Sequence, residues 1–295
     1  MRQAKVFDGW TVAQALEHAK RYKKVYFRPN PGNAGDSLIN VGFYACAEHC
    51  GLKYVEITRD FDYSSLDGDD LVILSGGGNI VPYWQAGSEL IVELTKYQFP
   101  LLLMPQSVEG REEILRLLRP KDVLFLREGY SFEYAKSLNL ECSIGLDHDL
   151  AFSVNAKDVL AAGFRFPPLR GRNVRKIFYI LFHYLRSRFA SELKALRTDR
   201  ESRFPGKKRK INDISSLAKF GTESKELNYS SSYWMLKILS WYKVVETDRL
   251  HVFVACSLLE KQVVLHSNTY HKIEGVYNYS IKDSAKGAGK VVFVG

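Results

Sequence analysis

The first half of the chain alternates short apolar runs with longer stretches that mix apolar and polar residues. The apolar runs do not alternate strictly with polar positions, which is typical of parallel strands buried on both faces of a sheet. We predict strands at residues 24–28, 53–57, 70–75, 101–104 and 123–126. We predict the intervening helices at residues 36–49, 85–97, 110–118 and 130–138. This order predicts a doubly wound α/β domain that ends near residue 156.

A second α/β pattern follows a segment in which strands and helices no longer alternate. We predict its strands at residues 193–196, 242–245 and 262–266, and its helices at residues 228–240 and 252–259. The chain is therefore predicted to have three parts. These are an N-terminal α/β domain over residues 1–156, a connecting segment over residues 157–192, and a C-terminal α/β domain over residues 193–295.

Composition places the chain among ordinary globular proteins. It has 295 residues, of which 46% are hydrophobic and 25% charged, and this length suits one or two domains. No run reaches the ~18 apolar residues of a membrane span, and the N-terminus lacks an apolar signal core. The cysteines at 46, 50, 142 and 256 form no C-x-x-C pair. We therefore expect a soluble, cytoplasmic protein without a metal site.

The net charge of +9 is unevenly spread along the chain. Residues 165–210 hold 15 Lys or Arg against three acids. Within this stretch the apolar run 177–185 is flanked by Arg172, Arg175, Lys176, Arg186 and Arg188. This pattern is typical of a helix at a membrane surface, and we predict that residues 165–190 form a peripheral membrane contact or dock the acceptor. The alternative is an interdomain helix with its apolar run buried.

Candidate functional residues lie where predicted strands end. Thr247-Asp248-Arg249-Leu250-His251 lies between an apolar strand and an apolar helix. Ligands of open α/β sheets bind outside the carboxyl ends of the strands, and helix N-termini attract anions. Arg249 can bind a phosphate or carboxylate with its planar fork, and His251 can transfer a proton near neutral pH. The run therefore indicates an anionic substrate and proton-dependent chemistry, or alternatively a solvated helix cap.

Glycine-rich loops follow two other predicted strands. Gly32-Asn33-Ala34-Gly35-Asp36 leads into a helix, and Gly76-Gly77-Gly78-Asn79 follows a Leu-Val-Ile strand. Glycine lets the backbone approach a ligand closely, although neither loop has the spacing of a dinucleotide site or a P-loop. Arg127-Glu128 ends a further strand. Tight turns and a surface ion pair are the structural alternatives.

In their order and spacing, these motifs resemble those of the polysaccharide pyruvyl transferase family. The resemblance spans residues 24–281. It rests on Gly32–Asp36, Gly76–Asn79, Pro105-Gln106-Ser107, Arg127-Glu128 with Ser131, Arg249-Leu250-His251, Leu196–Glu201 and Tyr270-His271-Lys272.

The resemblance implies two Rossmann-like doubly wound domains in a glycosyltransferase-B-like arrangement, with the active site in the interdomain cleft. It implies phosphoenolpyruvate as donor, a free or lipid-linked saccharide as acceptor, and a pyruvate ketal as product, with no further cofactor. The catalytic residues would be Arg127, Arg249 and His251. We expect the substrate-binding residues to be Gly32, Asn33, Gly35, Asp36, Gly77, Gly78, Asn79, Ser107, Ser131, Leu250, His271 and Lys272.

The chemistry of these side chains agrees with that donor. A phosphate and a carboxylate suit two arginines, and His251 could protonate the methylene carbon. One alternative is a sugar-nucleotide glycosyltransferase, for which Glu246 and Glu260 are the nearby carboxylates that could hold a ribose. Another is a protein that binds an anionic surface or nucleic acid through residues 165–210. Its long apolar run is not needed for phosphate binding, so we expect no nucleic acid partner.

Overall fold

A computed structural model describes residues 9–163, 172–198, 210–284 and 290–294 of the chain. The chain divides into two compact units, and the division does not follow chain order. The first unit comprises Met1–Asn30 and Phe43–Leu150, and the second comprises Pro31–Gly42 and Ala151–Gly295. The stretch Pro31–Gly42 therefore groups with the C-terminal half, away from its neighbours in sequence.

The first unit is built on a parallel sheet, which has seven strands among the described residues. They are β1 (Lys24–Arg28), β2 (Val55–Glu56), β3 (Asp70–Leu74), β4 (Gly77–Ile80), β5 (Leu101–Val108), β6 (Val123–Leu126) and β7 (Ser143–Leu146). Their order is β2-β1-β3-β5-β6-β7, with β4 pairing beside β5. The chain reverses direction across the sheet between β1 and β3, as in doubly wound folds.

Helices alternate with the strands of this sheet along the chain. The helices of the N-terminal half are α1 (Val12–Ala19), α2 (Ala34–Cys50), α3 (Ala86–Leu94), α4 (Glu112–Leu115) and α5 (Gly129–Ser137). Every residue of β3, β5 and β6 is buried. Apolar runs without strict alternation are what such strands require, because both faces of each strand contact the core. The predicted α/β class with a parallel sheet is confirmed.

The second unit holds a separate parallel sheet. Its described strands are β8 (Glu192–Ala195), β9 (Val244–Thr247), β10 (Gln262–His266) and β11 (Val291–Val294), in the order β11-β10-β9-β8. This order follows the chain without reversal, so the doubly wound order predicted for this domain is not seen among the described strands. Burial alternates along β8 and β9, which is typical of a sheet with one well-covered face.

The helices of the C-terminal half belong to the second unit. They are α6 (Ala156–Ala161), α7 (Arg172–Arg186), α8 (Ile214–Leu217), α9 (Lys225–Ser240), α10 (Leu250–Leu258) and α11 (Lys272–Ser280). Short 3-10 turns lie at Tyr63–Ser65, Leu150–Ser153 and Lys210–Asn212. α10 follows β9 directly, which confirms the predicted strand-to-helix junction. No helix in the described ranges is long and apolar enough to cross a membrane.

Two predicted boundaries differ from the structure for a physical reason. Gly77-Gly78-Asn79 is not an open loop, because β4 pairs with β5 through Gly77 and Gln106. β5 does not stop at Met104 but continues through Pro105 to Val108. Its register against β6 shifts between Leu103 and Gln106, and such an irregularity tolerates a proline that has no N–H to donate.

Other predicted elements also differ in length. The helix predicted at 110–118 is the single turn of α4, while α1 and β11 were not predicted. Of the predicted connecting segment, residues 164–171 lie outside the described residues, and so do residues 199–201 of the predicted motif Leu196–Glu201.

Candidate functional site

The glycine-containing loop before α2 forms a helix cap. The Asn33 side chain accepts a hydrogen bond from Gly35 N (2.8 Å), and the Asp36 carboxylate accepts one from Asn33 N (2.8 Å). A Cβ on Gly32 would overlap with the Asp36 carboxylate, which explains why glycine stands there. Two N–H groups of this loop, those of Asn33 and Gly35, are therefore bound within the loop itself.

His251 lies against the first turn of α2, and both belong to the second unit. A Cβ on Gly35 would stand 2.6 Å from His251 Nδ1 and 2.7 Å from His251 Cβ. Only glycine leaves room for the imidazole here. The start of a long helix carries partial positive charge and favours anions. An anion bound at this end of α2 would therefore meet a group that can deliver a proton.

The β9–α10 junction holds the residues around His251 in place. The Thr247 hydroxyl donates to Ala195 O at the end of β8 (2.8 Å) and accepts from Arg249 N (3.0 Å). The Asp248 carboxylate accepts from Arg197 N (2.7 Å). Thr247 and Asp248 are both fully buried. Thr247 and Asp248 thus connect the end of β9 to the end of β8, and the candidate functional residues Arg249 and His251 follow directly.

Arg249 is held by a carboxylate that the sequence did not reveal. Its Nη2 donates to Asp213 Oδ2 at 2.6 Å, and Arg249 exposes only 7% of its surface. Asp213 also accepts from the Thr198 hydroxyl (3.0 Å). A guanidinium has five N–H donors in a rigid fork, so fixing one of them orients the others. Asp213 thus sets the direction of the Arg249 fork.

Further residues at the carboxyl edge of the second sheet follow β10. Lys272 is the first residue of α11, and its Nζ lies 4.8 Å from the Tyr270 ring centroid. His271 is the residue directly before that helix, and Leu250 is buried in α10. Because parallel strands end at the same edge, β9 and β10 bring Arg249, His251 and Lys272 to one side of the second unit.

Arg127 lies in the first unit as part of a buried ion pair. Its Nε donates to the Ser107 hydroxyl (2.8 Å) and its Nη1 to the Asp149 carboxylate (2.7 Å). Arg127 and Asp149 each expose about 1% of their surface. The structure therefore brings the predicted residues Arg127 and Ser107 together and adds Asp149. This geometry gives Arg127 a structural function, and its binding to a donor stays a prediction.

Ser131 also has structural partners in the first unit. Its backbone N donates to the Glu128 carboxylate (2.9 Å), and its hydroxyl accepts from Val108 N (2.8 Å). Glu128 thereby caps α5, and Ser131 joins that helix to the end of β5. The Arg-Glu-x-x-Ser motif is thus a helix start fixed to a strand end, and its predicted contact with substrate remains untested.

A pair of asparagines marks the point where strand order reverses in the first unit. Asn79 Nδ2 donates to Asn30 Oδ1 (2.6 Å), and Asn30 Nδ2 donates to Gly76 O (3.2 Å). Asn30 follows β1 and Gly76 follows β3, so the pair lies at the topological switch point, where open α/β sheets bind ligands. Gly77 has a φ of 147°, which only glycine adopts readily. Asn30 was not among the predicted site residues.

The carboxylates required by the glycosyltransferase alternative are engaged elsewhere. Glu246 accepts from Lys194 Nζ (2.8 Å) and lies 3.1 Å from His266 Nε2. Burial alone would raise the pKa of Glu246, but the hydrogen bonds from Lys194 and His266 hold it below its ordinary value. Glu260 pairs with Lys290 at 3.0 Å. Over the ranges described, no group of three or more His, Cys, Asp or Glu is placed to hold a metal ion.

Comparison with known proteins identifies a family and a solved structure that are similar to this chain. The profile of a family described as polysaccharide pyruvyl transferase matches residues 11–270. Among solved structures, a functionally uncharacterised protein from Klebsiella pneumoniae subsp. pneumoniae NTUH-K2044 has 28% sequence identity and a TM-score of 0.75. That match covers 96% of each chain. No curated protein matches the chain.

Proposed function

Because this chain belongs to the polysaccharide pyruvyl transferase family, we propose that it moves the pyruvyl group of phosphoenolpyruvate onto a saccharide and forms a pyruvate ketal. The family match confirms the resemblance inferred from the motifs and supports a transferase. The observation that carries the proposal is the close packing of His251 on Gly35 at the start of α2. It joins a proton donor to an anion-attracting helix end within one unit.

In the proposed reaction, His251 gives its proton to the methylene carbon of phosphoenolpyruvate. The central carbon then gains oxocarbenium character, and one hydroxyl of the sugar attacks it. A second hydroxyl of the same sugar displaces phosphate and closes the ketal. Two C–O bonds to the sugar form, the C–O bond to phosphate breaks, and the two hydroxyl protons pass to His251 and to solvent.

Cations bind the anionic donor in this proposal. Arg249, directed by Asp213, binds the phosphate or the carboxylate of phosphoenolpyruvate, and it stabilises charge as phosphate departs. Lys272 at the same sheet edge is a second candidate for the donor carboxylate. Arg127 as a donor ligand, and a glycosyltransferase-B-like arrangement with one shared site, remain predictions from the family resemblance.

Phosphate release from phosphoenolpyruvate tests the proposal. Acceptors that contain galactose, mannose or glucose are supplied, and the product is analysed by NMR in deuterated water. We expect acceptor-dependent phosphate release and a ketal methyl group that carries one deuterium. Phosphate release without an acceptor-linked methyl group would contradict ketal formation.

Sugar-nucleotide transfer is tested in parallel by thermal stabilisation. Phosphoenolpyruvate should raise the unfolding temperature, whereas a panel of nucleotide sugars should not, because Glu246 and Glu260 are engaged with Lys194 and Lys290. Stabilisation by a nucleotide sugar and not by phosphoenolpyruvate would favour a glycosyltransferase.

A further inference from the structure

One side of α7 fixes this helix to the second unit. Ile180 and His183 are buried there. His183 Nε2 lies 2.9 Å from Ile211 O, and its Nδ1 lies 2.9 Å from the Tyr242 hydroxyl. The helix therefore has a defined orientation, and its other side faces outward.

The outward side of α7 is apolar. Phe178, Leu181, Phe182 and Leu185 follow an i, i+3, i+4, i+7 spacing, which places them on one face, and Phe189 extends this row just beyond the helix. We call these five residues the docking face. Phe178 is 66% exposed, Leu185 is 52% exposed and Phe189 is 92% exposed. The buried-helix alternative for the run 177–185 therefore does not hold for this side. Contiguous apolar exposure of this kind marks an interaction site.

Cations border the docking face. Arg175 lies seven residues before Phe182, so it shares the outward side of the helix, whereas the Arg186 guanidinium packs inward, 5.6 Å from the Tyr242 ring centroid. The Arg175 guanidinium lies 5.4 Å from the Tyr179 ring centroid, and that of Arg188 lies 5.4 Å from the Tyr184 ring centroid. These contacts hold the charges beside an aromatic surface.

An apolar groove continues the docking face towards α9. It is lined by Leu181 and Tyr184 from α7, by Trp234 from α9 and by Trp241 just after α9, and its volume is roughly 260 Å³. Leu181 belongs to both surfaces. Tyr and Trp are enriched where a protein meets the boundary between lipid and water, because one end of each ring is apolar and the other polar.

We propose that the docking face of α7 binds the surface of a membrane that contains anionic lipid. The phenylalanines and leucines insert among the acyl chains, and the arginines bind lipid phosphates. The pattern is that of a helix lying in the interface, apolar on one side and cationic beside it. The function of the site at His251 is independent of this proposal.

Charge and chemistry favour a membrane over other partners. A second copy of the chain would bring the same cations, Arg175 and Arg188, against those of the first. A nucleic acid would pair with the arginines but would leave exposed leucines and phenylalanines without apolar contacts. An anionic bilayer satisfies both the charges and the apolar side chains.

Co-sedimentation of the full chain with vesicles tests the proposal. Vesicles of phosphatidylcholine alone are compared with vesicles that also contain phosphatidylglycerol, at low and high salt. We expect binding that needs phosphatidylglycerol and weakens with salt. Phe178→Ser with Leu185→Ser should reduce binding by roughly tenfold or more. Arg175→Gln and Arg188→Gln should each reduce binding by about fivefold.

Matched variants elsewhere separate docking from general effects. Val292→Ser removes an exposed apolar residue of β11, and Lys53→Gln and Lys96→Gln remove exposed charges, so none of them should change binding. Circular dichroism checks that each variant is folded. All docking-face variants should keep phosphate release on a soluble acceptor, which separates this proposal from the proposed function.

Several outcomes would overturn the proposal. No binding to anionic vesicles at low salt would do so, as would equal binding to neutral vesicles. Self-association that Phe178→Ser abolishes, without vesicle binding, would identify a second copy as the partner. Binding to a nucleic acid that depends on the arginines and not on Phe178 would identify that class instead.

Discussion

At the scale of single residues, Gly35 decides where the His251 ring can lie. A methyl group at this position would stand 2.6 Å from His251 Nδ1, so Gly35→Ala must displace the imidazole. We expect kcat to fall roughly tenfold or more, because a displacement of about 1 Å disrupts proton transfer. Steady-state kinetics with phosphoenolpyruvate measures the effect.

The control for this variant is Gly129→Ala. Gly129 is the first residue of α5, and a Cβ there would meet nothing within 4 Å. Activity of the Gly129→Ala protein should equal that of the wild type. A Gly35→Ala protein with unchanged kcat would show that the contact with His251 is not needed for turnover.

The Arg249–Asp213 pair should control donor affinity. Arg249→Ala should weaken phosphoenolpyruvate binding by roughly 1.5–3 kcal/mol, the value of a hydrogen bond to a charged group. Asp213→Asn keeps the size of the side chain and removes its charge, so it should raise KM more than it lowers kcat. Titration calorimetry and kinetics measure the two effects.

Arg116→Ala is the matched control for the arginine variants. Arg116 pairs with Glu112 on the surface, and both side chains are half exposed. Its loss should leave donor affinity unchanged. Donor affinity that survives Arg249→Ala would remove Arg249 from the donor site.

Candidate site residues could be recognised in the sequence where they stand next to one another in the chain. Arg249 and His251 form a short run at a strand end, and Gly35 belongs to a recognisable loop. Their partners come from distant positions, and nothing in the sequence around Asp213, Asp149 or Asn30 pairs them with Arg249, Arg127 and Asn79. Only the folded chain brings these side chains together.

At the scale of elements, the position of α7 depends on His183 being neutral. Burial lowers the pKa of His183 below its usual 6.5, the hydrogen bond to Ile211 O opposes this change, and the nearby Arg186 adds to it. A carbonyl oxygen only accepts, so Nε2 carries the proton and Nδ1 accepts from the Tyr242 hydroxyl. The neutral imidazole therefore joins α7 to Tyr242 and Ile211 through hydrogen bonds.

This geometry predicts a loss of stability in mild acid. The unfolded chain takes up a proton on His183 at a pH at which the folded chain does not, so stability falls as pH drops. The contribution is complete above about pH 6.5 and is lost between that value and the lower pKa of the folded state. Denaturant unfolding at several pH values should show a smaller dependence for His183→Gln. An equal dependence in both proteins would contradict the prediction.

Elements with clear hydrophobic patterns were predicted well. β1, β3, β6, α2 and α10 lie within a few residues of their predicted positions. β4 was missed because a run of glycines has no side-chain period, and its pairing with β5 involves the backbone alone. The partly exposed edge strand β11 was not predicted, although its four residues are all apolar.

At the scale of the whole molecule, the two units are not consecutive in sequence. Pro31–Gly42 belongs to the second unit, where Asn40 Nδ2 donates to Asn228 Oδ1 at 2.9 Å. Leu38 and Ile39 in this stretch are buried. A fragment of residues 151–295 should therefore unfold at a lower temperature than the same fragment joined to Pro31–Gly42 by a flexible linker. A linked peptide of scrambled sequence is the control.

Equal unfolding temperatures for the two fragments would show that the second unit folds without Pro31–Gly42. The sequence predicted the α/β class and the two sheets from local patterns. It could not predict that the first turns of α2 belong to the second unit, because the sequence pattern of α2 is continuous through Gly42 and shows no boundary.

The proposed chemistry depends most on His251, and the rate of phosphate release from phosphoenolpyruvate by His251→Ala tests it. His49→Asn, which changes an exposed histidine at the end of α2, is the control. With a saccharide acceptor present, His251→Ala should lose most of its turnover while phosphoenolpyruvate still binds, and His49→Asn should match the wild type. Near-normal turnover of His251→Ala would contradict His251 as the proton donor.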